Sequence, residues 1–139
     1  VALFDDLGER ARLSQLREVI NAPDPSAQLE RFIDIFARFY SENRLFIRRL
    51  FAMAALDNEL AEVLAERENR RRGGLRVLLE RIAQTGKPYP QAIGHVAATL
   101  YVLTSFDTFD SLATEGRTLT QVRGIIRQLA AMALDLKLP

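Results

Sequence analysis

The sequence has 139 residues, a formal net charge of +1 at pH 7 and no cysteine. That length fits one domain with a core of its own, and the missing cysteines exclude disulfides, thiolate metal sites and cysteine nucleophiles. The near-neutral balance provides no bulk field for nucleic acid, and no apolar run approaches the roughly 18 residues of a membrane span. A cysteine-free chain with no basic-then-apolar leader is expected to be cytoplasmic.

The elements read as helices throughout. Leu3, Leu7, Leu13, Leu16 and Ile20 recur at near-helical spacing and predict a first helix over 1–20, closed by Asn21-Ala22-Pro23. Asp24-Pro25 opens the next helix: Asp accepts from free first-turn N–H groups, and Pro lacks an N–H that would have been an orphan anyway. Leu29, Phe32, Ile33, Phe36, Phe39 and Tyr40 give this helix a broad apolar face, which Ser41-Glu42-Asn43 interrupts. A short helix is predicted over 44–55. Asp57 then caps a long helix running to Gln84, whose apolar line breaks at a polar stretch, Glu66 to Arg72, followed by Gly73-Gly74. Thr85 to Pro90 is the clearest loop. A fifth helix is predicted over 90–113, loosened near Asp107. A sixth runs over 119–136, with Thr118 and Gln121 at the spacing of a capping box. The expected fold is all-α, six helices joined by short loops.

The fifth helix carries two apolar stripes, one through Ile93, Val96, Leu100 and Leu103 and another through Ala92, Thr99, Val102, Phe106 and Phe109. Two stripes imply burial on two sides. The last helix adds Val122, Ile125, Leu129 and Met132, with small residues at Gly124, Ala130 and Ala131. Two such helices from each of two chains make a four-helix bundle with two-fold symmetry; otherwise the fifth helix is simply the central one of a monomer.

Candidate chemistry is sparse. Phe32, Phe36, Phe39, Tyr40, Phe46 and Phe51 could line an apolar pocket or be plain core. The line through Leu60 and Leu64 passes Arg67 and Arg71 before rejoining Leu75 and Leu78, so two arginines interrupt a core-facing stripe. Either they enter a cavity and meet a carboxylate or phosphate, or they snorkel outward or pair with acids such as Glu42. Arg70-Arg71-Arg72, flanked by Glu66, Glu68 and Glu80, reads as a solvated face. His95, the single histidine, has Ala92 three residues earlier where a di-metal helix would need Glu. No nucleophile turn, phosphate-binding loop or cofactor fingerprint is visible, so no metal, cofactor or enzymatic activity is expected.

Two stretches carry a family resemblance. The first is Phe39-Tyr40-Ser41-Glu42-Asn43, with Leu50-Phe51-Ala52 and Ala55-Leu56-Asp57-Asn58-Glu59-Leu60; the second is Leu103 to Ala113 with Glu115-Gly116-Arg117 and the final helix. Together they resemble the C-terminal domain of TetR-family bacterial transcriptional repressors, over nearly the whole chain. The resemblance implies a homodimer through the last two long helices, with Val102, Phe106, Phe109, Val122, Ile125, Leu129 and Met132 at the interface. It implies a pocket for a small, mostly apolar effector, an anionic one included, lined by Phe36, Tyr40, Phe51, Arg67, Arg71, Thr99 and Leu103. Effector binding would alter operator binding by the family's N-terminal helix-turn-helix, about fifty residues that this sequence lacks; its opening at Val1 is expected to mark a segment of something longer. The chain itself would bind neither nucleic acid nor membrane. The alternative is a stand-alone helical module that binds a partner protein through the same apolar faces.

Overall fold

The computed structural model describes residues 24–85, 89 and 91–135. These form six helices: α1 (Pro25–Glu42), α2 (Arg44–Ala54), α3 (Asn58–Thr85), α4 (Ile93–Leu103), α5 (Phe106–Thr114) and α6 (Leu119–Leu134). No strand occurs among the described residues. The helix expected over 1–20 lies outside them, as does most of the loop between Thr85 and Pro90.

The predicted starts are built as the capping chemistry requires. Asp24 Oδ1 accepts the Ala27 N–H at 2.8 Å, with Pro25 in the first turn. Asp57 Oδ1 accepts the Leu60 N–H at 3.2 Å. Thr118 and Gln121 form both halves of the capping box: the Gln121 N–H donates to Thr118 Oγ1 at 3.2 Å and the Thr118 N–H to Gln121 Oε1 at 2.9 Å. Asn43 alone separates α1 from α2, and its Nδ2 donates to the Phe39 carbonyl at 2.9 Å.

The fifth predicted helix is a correction. It begins at Ile93 and stops at Leu103, and a separate helix starts at Phe106. Ser105 is extended (φ −76°, ψ 157°), so the axis is broken. Its hydroxyl accepts the Thr108 N–H at 3.2 Å and donates to the Val102 carbonyl at 2.7 Å. Asp107 then places a carboxylate in the first turn of α5, where the helix dipole favours it. The loosening expected near Asp107 is thus a full N-cap two residues earlier.

One core joins the elements. Leu29, Phe32, Ile33, Ala37 and Tyr40 of α1 meet Leu75, Leu78, Leu79 and Ile82 of α3, Val96 and Leu100 of α4, Phe106 and Phe109 of α5, and Val122, Ile126, Ala130, Ala131 and Leu134 of α6. The last helix packs on α1, α4 and α5, while α3 packs on α2 and α4. Ion pairs staple the outside. Asp34 of α1 pairs with Arg123 of α6, and Glu30 lies 2.7 Å from Arg127. Asp110 of α5 holds Arg44 at 2.6 Å and Arg48 at 3.1 Å, tying α5 to α2. At the far end, Tyr89 packs against the core and donates its hydroxyl to the Leu79 carbonyl at 2.6 Å; burial pushes the phenol up to about 12.

The long helix α3 passes through Gly73-Gly74 without interruption. Both glycines are exposed, and a Cβ at either would meet nothing within 4 Å. Nothing in the packing demands them, and each costs about 0.8–1 kcal/mol relative to alanine in a helix interior. Gly73→Ala and Gly74→Ala should therefore each stabilise the protein by roughly that amount, read as a raised midpoint in urea denaturation; a lowered midpoint would show that α3 must bend there.

Candidate functional site

The polar interruption in α3 turns inward. Arg67 and Arg71 are both buried, on the line that Leu60, Leu75 and Leu78 also follow into the interior. Arg71 is the more informative, with only 3% of its side chain exposed. Its Nε and Nη2 donate to Glu68 Oε2 at 3.3 and 3.0 Å. Its Nη1 donates to Thr104 Oγ1 at 3.0 Å and to the Tyr101 carbonyl at 3.2 Å, and Nη2 also reaches that carbonyl at 3.2 Å. All five guanidinium N–H groups are thus engaged, which is what a planar fork can do and an ammonium cannot.

The surroundings extend this network. The Tyr101 hydroxyl donates to Glu68 Oε2 at 2.6 Å, and its ring lies under the guanidinium groups of Arg71 (4.1 Å) and Arg72 (4.3 Å). Thr104 Oγ1 donates to the Leu100 carbonyl at 2.6 Å, and the Tyr40 hydroxyl donates to the Thr104 carbonyl at 2.9 Å. Side chains from α1 and α3 therefore converge on the last turn of α4, where α4 gives way to α5. Burial alone would raise the Glu68 carboxyl, but the Tyr101 hydroxyl and the charges of Arg71 and Arg72 outweigh it and hold Glu68 below its ordinary 4.5. Burial works against the Arg71 charge too, yet Tyr40, Glu68 and Tyr101 around it keep its pKa raised.

Beside this network lies a half-open cleft of about 60 Å³, walled by α1, α2, α3 and the start of α5. Aromatic rings make much of the wall: Phe36, Phe39, Tyr40, Phe51 and Phe106. Tyr40 meets Phe106 nearly edge-on at 5.5 Å between centroids, and Phe51 stacks on Phe106 at 5.9 Å. Arg67, Glu68 and Arg71 supply the polar side. A second void of about 10 Å³ lies behind Phe36 and Tyr40, reaching Thr104, Ser105 and Ile126. Phe36 and Tyr40 are thus a partition between two spaces.

Five of the seven expected ligand-binding residues, Phe36, Tyr40, Phe51, Arg67 and Arg71, line the cleft. Thr99 and Leu103 do not: Thr99 donates to the His95 carbonyl on α4, and Leu103 packs against the core. Of the residues expected at a dimer interface, Phe106, Phe109 and Val122 are buried within the single chain, because the α4–α5 break turns α5 back onto α1 and α6. Val102, Leu129 and Met132 are exposed and Ile125 is half-buried. The Arg70-Arg71-Arg72 run is not a uniform solvated face; only Arg70 and Arg72 are exposed. Glu68 escaped sequence reasoning as a site residue, although its spacing of three from Arg71 is that of a helical ion pair. His95 is exposed, and no group of three metal-ligating side chains occurs among the described residues. No described helix is long and apolar enough to cross a membrane.

No protein-family model, curated protein or solved structure matches the chain.

The network makes two expectations. Arg71→Met should cost about 3 kcal/mol, because it strips the donors from Thr104 and Tyr101 and leaves Glu68 without its partner; Arg71→Lys should recover only part of the loss. Since Glu68 has a lowered pKa in the folded chain, its stabilisation is complete above the unfolded value near 4.5 and disappears as pH falls through the lower folded value. The difference in melting temperature between wild type and Glu68→Gln should therefore be largest near neutrality and shrink toward pH 3. A difference constant with pH would separate Glu68 from the network.

Proposed function

We propose that the chain is the effector-sensing and dimerisation domain of a TetR-like transcriptional repressor, in which a small, mostly apolar molecule alters DNA binding by an N-terminal domain. The observation that carries this reading is the aromatic cleft: apolar, half-open, bordered by a few convergent polar groups, and formed by residues of four helices. Drug-sized sites occupy about 300–1,000 Å³, so a cleft of about 60 Å³ must widen to take such an occupant. The partition of Phe36 and Tyr40 is where it can do so, because a second void lies behind it.

Widening there has a mechanical consequence. Tyr40 cannot swing without disturbing its bond to the Thr104 carbonyl, and Phe106 is both a wall of the cleft and the first residue of α5. An occupant that prefers the widened form would bias the helix arrangement toward it, which is a population shift rather than a new structure. An apolar ligand that binds only the folded state stabilises it by about 2.7 kcal/mol at a hundredfold excess over Kd. A panel of small single-ring and two-ring compounds should therefore contain members that raise the melting temperature, and Phe36→Ala or Phe51→Ala should abolish the gain. A flat response across the panel would remove the sensing role.

The dimer rests on the outer face of α6. Ile125, Leu129 and Met132 follow one helical line, and Leu129 and Met132 are 43% and 69% exposed. Gly124 beside them leaves open space where a Cβ would stand. Sedimentation at micromolar concentration should give a dimer that Leu129→Arg converts to monomer without loss of helix. A monomeric wild type would favour the other reading, a helical interaction module for a different protein, for which exposed Leu45, Met53 and Leu56 near α2 offer further apolar surface.

A further inference from the structure

The wall of the cleft discriminates among occupants through its polar atoms, and these are unequally committed. Arg71 has no N–H left to give. Arg67, buried in the same wall, is engaged as well. Glu68 is different. Its Oε2 takes three donors, Arg71 Nε, Arg71 Nη2 and the Tyr101 hydroxyl, whereas its Oε1 accepts no bond among the described residues. Glu68 lines the cleft, and its side chain is 35% exposed.

Resting on the sensing role proposed above, we infer that the cleft selects an uncharged, ring-sized molecule bearing one hydroxyl or amide N–H donor, received by Glu68 Oε1. A molecule that fills the cleft removes water from the Glu68 carboxylate. An ionised oxygen left without a donor in an apolar surround is costly, so an occupant with a donor at that place is favoured over one without it, the same asymmetry by which polar sites reject analogues lacking a hydroxyl. A carboxylate ligand meets the opposite situation: the Arg71 donors are already used, Arg67 has a partner of its own, and Glu68 beside them is an anion. An ammonium gains from Glu68 but faces the charges of Arg67 and Arg71 in the same wall. The five aromatic rings suit a flat or compact ring as the body of the ligand.

The test compares three probes of one size on the full chain: benzyl alcohol, toluene and benzoate. Methyl resonances of Ile47, Leu50 and Leu64, all in the cleft wall, report binding during NMR titration. Benzyl alcohol is expected to bind at least about tenfold more tightly than either of the others, the factor that about 1.4 kcal/mol represents. Glu68→Gln, which weakens the acceptor and removes its charge, should reduce that preference severalfold; if this variant does not fold, the ranking of the three probes on wild type still decides. Toluene equal to benzyl alcohol, or benzoate as tight as either, would overturn the inference and leave the cleft as a binding site. Silence of all three methyl groups with every probe would overturn both the inference and the sensing role beneath it.

Discussion

A guanidinium group with 3% of its side chain exposed sits among helices that otherwise meet through leucine, valine and phenylalanine, and much of the architecture follows from the need to satisfy it. Removing such a charge from water is tolerable only if a counter-charge and a full set of acceptors replace the solvent. Glu68 supplies the charge from the preceding turn of α3. The acceptors come from a carbonyl and a hydroxyl at the end of α4. The helix end is where such acceptors exist, because the last carbonyls of a helix have no partner within it. Arg71 and the termination of α4 at Leu103 are therefore two aspects of one arrangement.

That arrangement places the cleft. Because α4 ends at the arginine, α5 can start on a new axis at Phe106, and its first ring turns into the space between α1 and α2. Tyr40 and Phe51 then meet that ring. The same turn draws Phe109 into the core and leaves Asp110 facing Arg44 and Arg48. The aromatic wall and the polar wall thus have a common origin in a broken helix. Both border the joint between α4 and α5.

Much of this was legible in the residues. Asp24-Pro25, Asp57 and the Thr118/Gln121 pair are local signals whose chemistry operates within one turn, and each capped a helix where expected. The Leu60–Leu78 line passes through Arg67 and Arg71, which left open whether they enter the interior or snorkel outward; both are buried, since helical periodicity fixes direction whatever the residue type. The break at Ser105 was harder. A run of Val102, Leu103, Phe106 and Phe109 continues a helical stripe across it, and tertiary bonds from Tyr40 and Arg71, more than thirty residues away in sequence for the nearer of the two, help to hold the end of α4. For the same reason Phe106, Phe109 and Val122, expected at an interface between copies, are buried within the chain: an apolar stripe says that a face is covered, not whether the chain or another copy covers it. Glu68 was hidden by its setting in an acid-and-base run, where a partly buried pair and a solvated one look alike.

The ion pair at the centre of the site is made within a single helix, Glu68 and Arg71 being three residues apart on α3. Its neutrality therefore does not depend on where any other helix lies. If α4 shifts relative to α3, the bonds that part are those to an uncharged carbonyl and two hydroxyls, and no bare charge appears at any point along the path. A joint built the other way, with the acid on α4 and the base on α3, would have to separate opposite charges in a poorly hydrated interior and would resist sliding steeply. Here the electrostatic cost is confined to one rigid element, and the surface along which the helices can slip is electrically quiet.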